Sequence, residues 1–149
     1  RGFEIYEGTG AKQIGPYVQT MLAELYGLAG LPEKGTDALN EAFGPGNTTD
    51  VCFFEAEALR IHGELLRQSD SGDGLDYFTR AMDLARGQGA RALELRAALS
   101  AAAAARQNGD AAAARTFVED IHRRFDSALI VQETANTTEL LAALGMRQE

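Results

Sequence analysis

Glu57, Arg60, Glu64 and Arg67 recur at intervals of three and four residues, the spacing that sets side chains along one side of a helix. Carboxylates and guanidiniums alternating in this way can neutralise one another as a solvated ladder, or hold a charged peptide laid across them. Arg96 and Arg106 lie further along, and each offers a planar fork suited to a carboxylate. Other groups carry less chemistry. Gly8-Thr9-Gly10-Ala11-Lys12 has the outline of half a phosphate loop, but Ala separates Gly from Lys, Gln13 replaces the hydroxyl and no strand precedes it. His62 and His122 have no third ligand spaced to join them. In Asp70-Ser71-Gly72-Asp73-Gly74-Leu75-Asp76 the alternation of a calcium loop breaks at Gly72, and Ala81 occupies the twelfth position, where Glu belongs; a solvated turn fits better. Cys52 has no patterned base to activate it. No catalytic, cofactor-binding or metal-ligating set emerges, so an enzymatic reading has no residues to rest on.

Charge and composition narrow the partners. A net charge of −8 argues against a nucleic-acid surface and against adhesion to anionic membranes, since both need a basic face. That leaves a protein or peptide, or other domains of a parent chain. Ala, Leu, Glu and Arg dominate the 149 residues, a mixture that favours helix. A lone cysteine excludes an internal disulfide and fits a cytoplasmic location. No apolar run is long enough to span a bilayer. Asn47-Thr48-Thr49 and Asn136-Thr137-Thr138 match the glycosylation pattern but read as turn and cap chemistry.

The elements that must position these side chains are marked by glycine. Gly8-Thr9-Gly10-Ala11-Lys12 returns 79 residues later as Gly87-Gln88-Gly89-Ala90-Arg91, with Gly44-Pro45-Gly46-Asn47 midway. A period near 40 residues signals an array of helical units. Helices are expected over about 14–29 and 32–43, then 53–68 and 75–87, then 92–107 and 111–125, each pair joined by a short turn. Short turns imply antiparallel neighbours. Residues 1–10 read as the tail of a preceding repeat, 11–46, 47–88 and 89–127 as three repeats, and 128–149 as a C-terminal cap with a helix near Thr138 to Leu144. The run Ala128 to Val131 is too short to form a sheet and is expected to be a loop or helix edge.

Small residues repeat in register. Ala23 is followed by Gly35, Leu39 and Ala42; Gly63 by Gly74, Phe78 and Ala81; Ala102, beside Ala101, by Ala114, Val118 and Ile121. A small residue midway along one helix lets the next cross close to its backbone. This pattern resembles the tetratricopeptide repeat, with a longer unit and without its signature Trp and Pro. The resemblance implies an all-α, tetratricopeptide-like array of antiparallel helical hairpins, with a binding groove along the first helices. Carried over position by position, the groove comprises Tyr17, Thr20, Glu24 and Leu28, then Glu57, Arg60, Glu64 and Arg67, then Arg96, Leu99, Ala103 and Arg106.

The runs Phe54-Glu55-Ala56-Glu57-Ala58-Leu59-Arg60-Ile61-His62-Gly63-Glu64-Leu65-Leu66 and Ala90-Arg91-Ala92-Leu93-Glu94-Leu95-Arg96-Ala97-Ala98-Leu99-Ser100 are similar to the C-terminal helical-repeat region of bacterial multidomain signalling proteins. In these a class III adenylyl cyclase-like or DNA-binding domain precedes a STAND-type ATPase and the repeats. The resemblance implies a non-catalytic interaction or sensor module, with any cyclase or ATPase activity outside this chain. A second expectation is self-association, through apolar residues around Phe3, Ile5 and Tyr6.

Overall fold

The computed structural model describes residues 15–43 and 54–133, and every regular element in them is helical. The Gly8 to Lys12 segment, the Gly44 loop, Cys52, both glycosylation patterns, the apolar residues around Phe3 and the helix expected near Thr138 lie outside the described residues. Six helices follow in chain order: α1 (Gly15–Leu28), α2 (Pro32–Phe43), α3 (Glu55–Gln68), α4 (Leu75–Gly87), α5 (Arg91–Gln107) and α6 (Ala111–Arg124). The expected boundaries hold to within two residues. Residues 127–133 are helical as well, so the Ala128 to Val131 run belongs to a helix and not to a loop.

The local chemistry at the helix ends explains why the chain stops where it does. Gly30, Gly89 and Gly109 take left-handed φ values of 71°, 67° and 79°. At each, the next residue's N–H reaches five residues back: Leu31 to the Tyr26 carbonyl, Ala90 to Ala85 and Asp110 to Ala105, each at 2.9 Å. This closure satisfies carbonyls that the helix leaves without partners. Asp70 does the same job at the end of α3, with φ of 52° and Ser71 N–H bonded to the Leu66 carbonyl at 2.9 Å. Helix starts use carboxylates: Asp110 accepts from the Ala113 N–H at 2.9 Å and Asp73 from the Leu75 N–H at 3.0 Å.

Each helix packs on the next, and α3 also touches α1 and α5 directly. Between residues 56 and 67, α3 has no exposed side chain. Its apolar face, Ala58, Ile61 and Leu65, forms a core with Ala23 of α1 and Ala38 and Leu39 of α2. The small residues act as expected in the first two pairs. A Cβ on Gly35 would lie 2.8 Å from Leu65 Cδ2 and 2.9 Å from the Ala23 carbonyl oxygen. One on Gly63 would lie 2.6 Å from the Phe78 ring. Helix α5 differs slightly: Ala101 and Ala104 bury completely against Phe78, whereas Ala102 is only partly buried. Ala101 and Ala104 thus face the preceding hairpin, through Phe78 of α4.

Candidate functional site

The polar face of α3 and the helices on either side of it make the candidate site. Glu57 Oε1 accepts from Arg60 Nη2 at 2.8 Å and from Arg96 Nη2 of α5 at 2.7 Å. Glu24 Oε1 of α1 meets the same two groups, at 2.9 Å from Arg60 and 3.5 Å from Arg96. Two carboxylates and two guanidiniums therefore tie α1, α3 and α5 together. Further along, Arg67 bonds Glu64 Oε2 at 2.8 Å and reaches Gln107 at the end of α5. At the other end, the Tyr17 and Phe54 rings lie 4.6 Å apart.

This is not the solvated ladder that the spacing along α3 suggests. The side chains of Glu57 and Arg60 are only 10% and 11% exposed, because α1 and α5 flank α3 on both sides. Burial pushes the Glu57 carboxyl up, but the charge and hydrogen bonds of Arg60, then the charge of Arg96, more than offset it. The carboxyl ends below its ordinary value. Burial likewise pulls the Arg60 guanidinium down, and Glu57, Glu24 and Glu64 together hold it above its usual range. Glu57 Oε2 is buried without a hydrogen-bond partner among the described residues, so its sister oxygen carries the pairing.

No family model matches the chain, and neither does any curated protein or solved structure.

The geometry therefore carries the reading. Seven of the eight charged or aromatic groove residues, Tyr17, Glu24, Glu57, Arg60, Glu64, Arg67 and Arg96, are engaged in the contacts above. Arg106 is exposed, with no ion pair among the described residues. Ten residues separate it from Arg96, about 15 Å of helix. Arg96 is already committed to Glu57, so of the groove cations Arg106 is the one without an ion pair among the described residues. Thr20 is buried, its hydroxyl donating to the Pro16 carbonyl at 2.7 Å, so it serves α1 and not a groove.

A second charged cluster was not legible in the sequence. Glu94, 3% exposed, accepts from Arg86 of α4 at 3.0 Å and from Arg124 of α6. Its partners lie on other helices, where no local spacing reveals them. The one available signal was an acidic residue in helical register with the buried Ala97, Ala98 and Ala101. His62 lies against Tyr77, ring centroids 4.5 Å apart, with Arg80 over the same ring. Burial first, and the charge of Arg80 second, lower its pKa. Among the described residues no group of three or more His, Cys, Asp or Glu could hold a metal, and no helix is long and apolar enough to cross a membrane.

Proposed function

We propose that this chain is a non-catalytic interaction module whose first helices, α1, α3 and α5, present a polar face to a peptide or to other domains of a parent protein. The observation that carries this reading is the Glu24–Arg60–Glu57–Arg96 cluster. It ties three helices side by side on their polar side, with an aromatic pair at one end and the exposed Arg106 at the other. Buried charge pairs are weak sources of stability and better suited to setting register. A face held in register is pre-organised, which lowers the cost of binding an extended segment. The packing of each helix on its successor, with first helices also adjoining, supports a tetratricopeptide-like array of hairpins. The similarity of two of its helices to the repeat region of cyclase-like and STAND ATPase regulators favours a cytoplasmic signalling parent.

The test is a selection of binding peptides from a random library against the full chain, followed by calorimetry on variants. Arg106→Ala weakens the selected peptides by about 10-fold, the usual effect of removing one charge-assisted contact. Recovery of no peptide, or affinity unchanged in Arg106→Ala and in Arg96→Ala, contradicts the reading.

A further inference from the structure

The charges on the α1, α3 and α5 face do not balance. Four of the chain's 14 Lys and Arg lie there, Arg60, Arg67, Arg96 and Arg106, with three of its 22 Asp and Glu, Glu24, Glu57 and Glu64. The face therefore carries +1 and the rest of the chain −9. All three carboxylates are held by guanidiniums, Glu24 and Glu57 by Arg60 and Arg96, and Glu64 by Arg67. The unpartnered oxygen of Glu57 is buried, out of reach of a segment lying on the surface.

The excess charge sits at one end. Arg67 donates to Glu64 and to the side-chain oxygen of Gln107, which leaves the Gln107 NH2 group to donate elsewhere. Arg106, the residue beside Gln107, is exposed and has no ion pair among the described residues. Two guanidiniums and an amide thus share one carboxylate where α3 and α5 end. At the opposite end the uncharged rings of Tyr17 and Phe54 meet where α1 and α3 begin, and Tyr17 is 39% exposed. Thirteen positions of α3 separate Phe54 from Arg67. That is about 20 Å of helix, and crossing from the α1–α3 seam to the α3–α5 seam adds one helix spacing of about 9 Å. The diagonal of about 22 Å is spanned by about seven extended residues.

Resting on the interaction-module reading above, we propose that the partner segment is apolar at one end and acidic at the other. Its aromatic side chain lies on Tyr17, and about seven residues away its carboxylate accepts from Arg106 and the Gln107 amide. A basic residue at that end meets Arg106 and no unpaired carboxylate, so like charge excludes it. The −9 carried by the rest of the chain repels the same acidic segment from other surfaces. Charge therefore selects the place of binding as well as the partner. With a Debye length of about 8 Å at physiological ionic strength, the guanidinium in direct contact dominates over charges further away.

Capture of defined peptides on the immobilised full chain tests this. Three seven-residue frames compete at equal concentration, each blocked at both termini, with Phe at one end, uncharged polar residues between, and Glu, Gln or Lys at the other. Each frame is made in both chain directions, and captured peptides are counted by mass spectrometry. The Glu frame is enriched about 10-fold over the Gln frame, the scale of one charge-assisted contact, and the Lys frame is captured least. Raising salt from about 0.05 to 0.5 M erodes that preference. Arg106→Gln abolishes it, and Arg106→Glu reverses it in favour of Lys. Equal capture of all three frames, or a preference unchanged in both Arg106 variants, overturns the acidic partner while leaving the interaction module standing. Capture of no frame, together with failure of the random-library selection, overturns both.

Discussion

Glu57 concentrates the electrostatics of the molecule in one carboxylate. Its two guanidinium partners come from its own helix and from α5, and its second oxygen has no partner among the described residues. Replacing it by Gln leaves Arg60 and Arg96 short of a counter-charge in a largely buried place. We expect Glu57→Gln to cost about 3 kcal/mol in urea unfolding, the scale for breaking a buried pair from one side. The sign with pH follows from the lowered pKa. Stability from this group is complete above its ordinary value of 4.5 and disappears as pH falls through the lower folded value. The gap between wild type and Glu57→Gln should therefore close in acid; a constant gap would contradict the pairing. His62 gives a second readout. Its proton resonances should titrate below the ordinary histidine value of 6.5, and Arg80→Ala should move that titration up. No movement would remove Arg80 as a cause. The sequence placed Glu24, Glu57, Arg60 and Arg96 on one side of the array, but not their burial. Burial depends on α1 and α5 closing around α3, which local spacing does not encode.

Helices and joints were legible because Gly and Pro act locally. Pro32 opens α2 and Gly30 ends α1 by rules that need no tertiary context. Which alanines of α5 face Phe78 of α4 was less legible, since a run of Ala offers no size difference to single out Ala101 and Ala104. Two substitutions test the element scale in opposite directions. Gly63→Ala places a methyl 2.6 Å from the Phe78 ring and should destabilise by about 1–3 kcal/mol, as overpacking does. Asp70→Gly relieves a left-handed backbone that the other three joints give to glycine, and should stabilise by about 0.5–1 kcal/mol. Thermal unfolding of both checks the pair. A neutral Gly63→Ala would mean that α3 and α4 lie further apart than the structure places them.

For the whole molecule, apolar contacts and buried charge pairs both join one hairpin to the next. Apolar contacts join each second helix to the first helix that follows, as Leu39 joins Leu65 and Phe78 joins Ala104. Charge joins the first helices through the Glu24–Arg60–Glu57–Arg96 cluster, and joins α5 to α4 and α6 through Glu94 with Arg86 and Arg124. The first cluster supports the proposed reading, a helix stack with a polar side for a partner, which is the central claim. Amide chemical-shift mapping of a selected peptide on the full chain tests it most directly. The account predicts shifts concentrated on α1, α3 and α5, around Tyr17, Arg60, Arg96 and Arg106. Shifts concentrated on α2, α4 and α6 instead would contradict it.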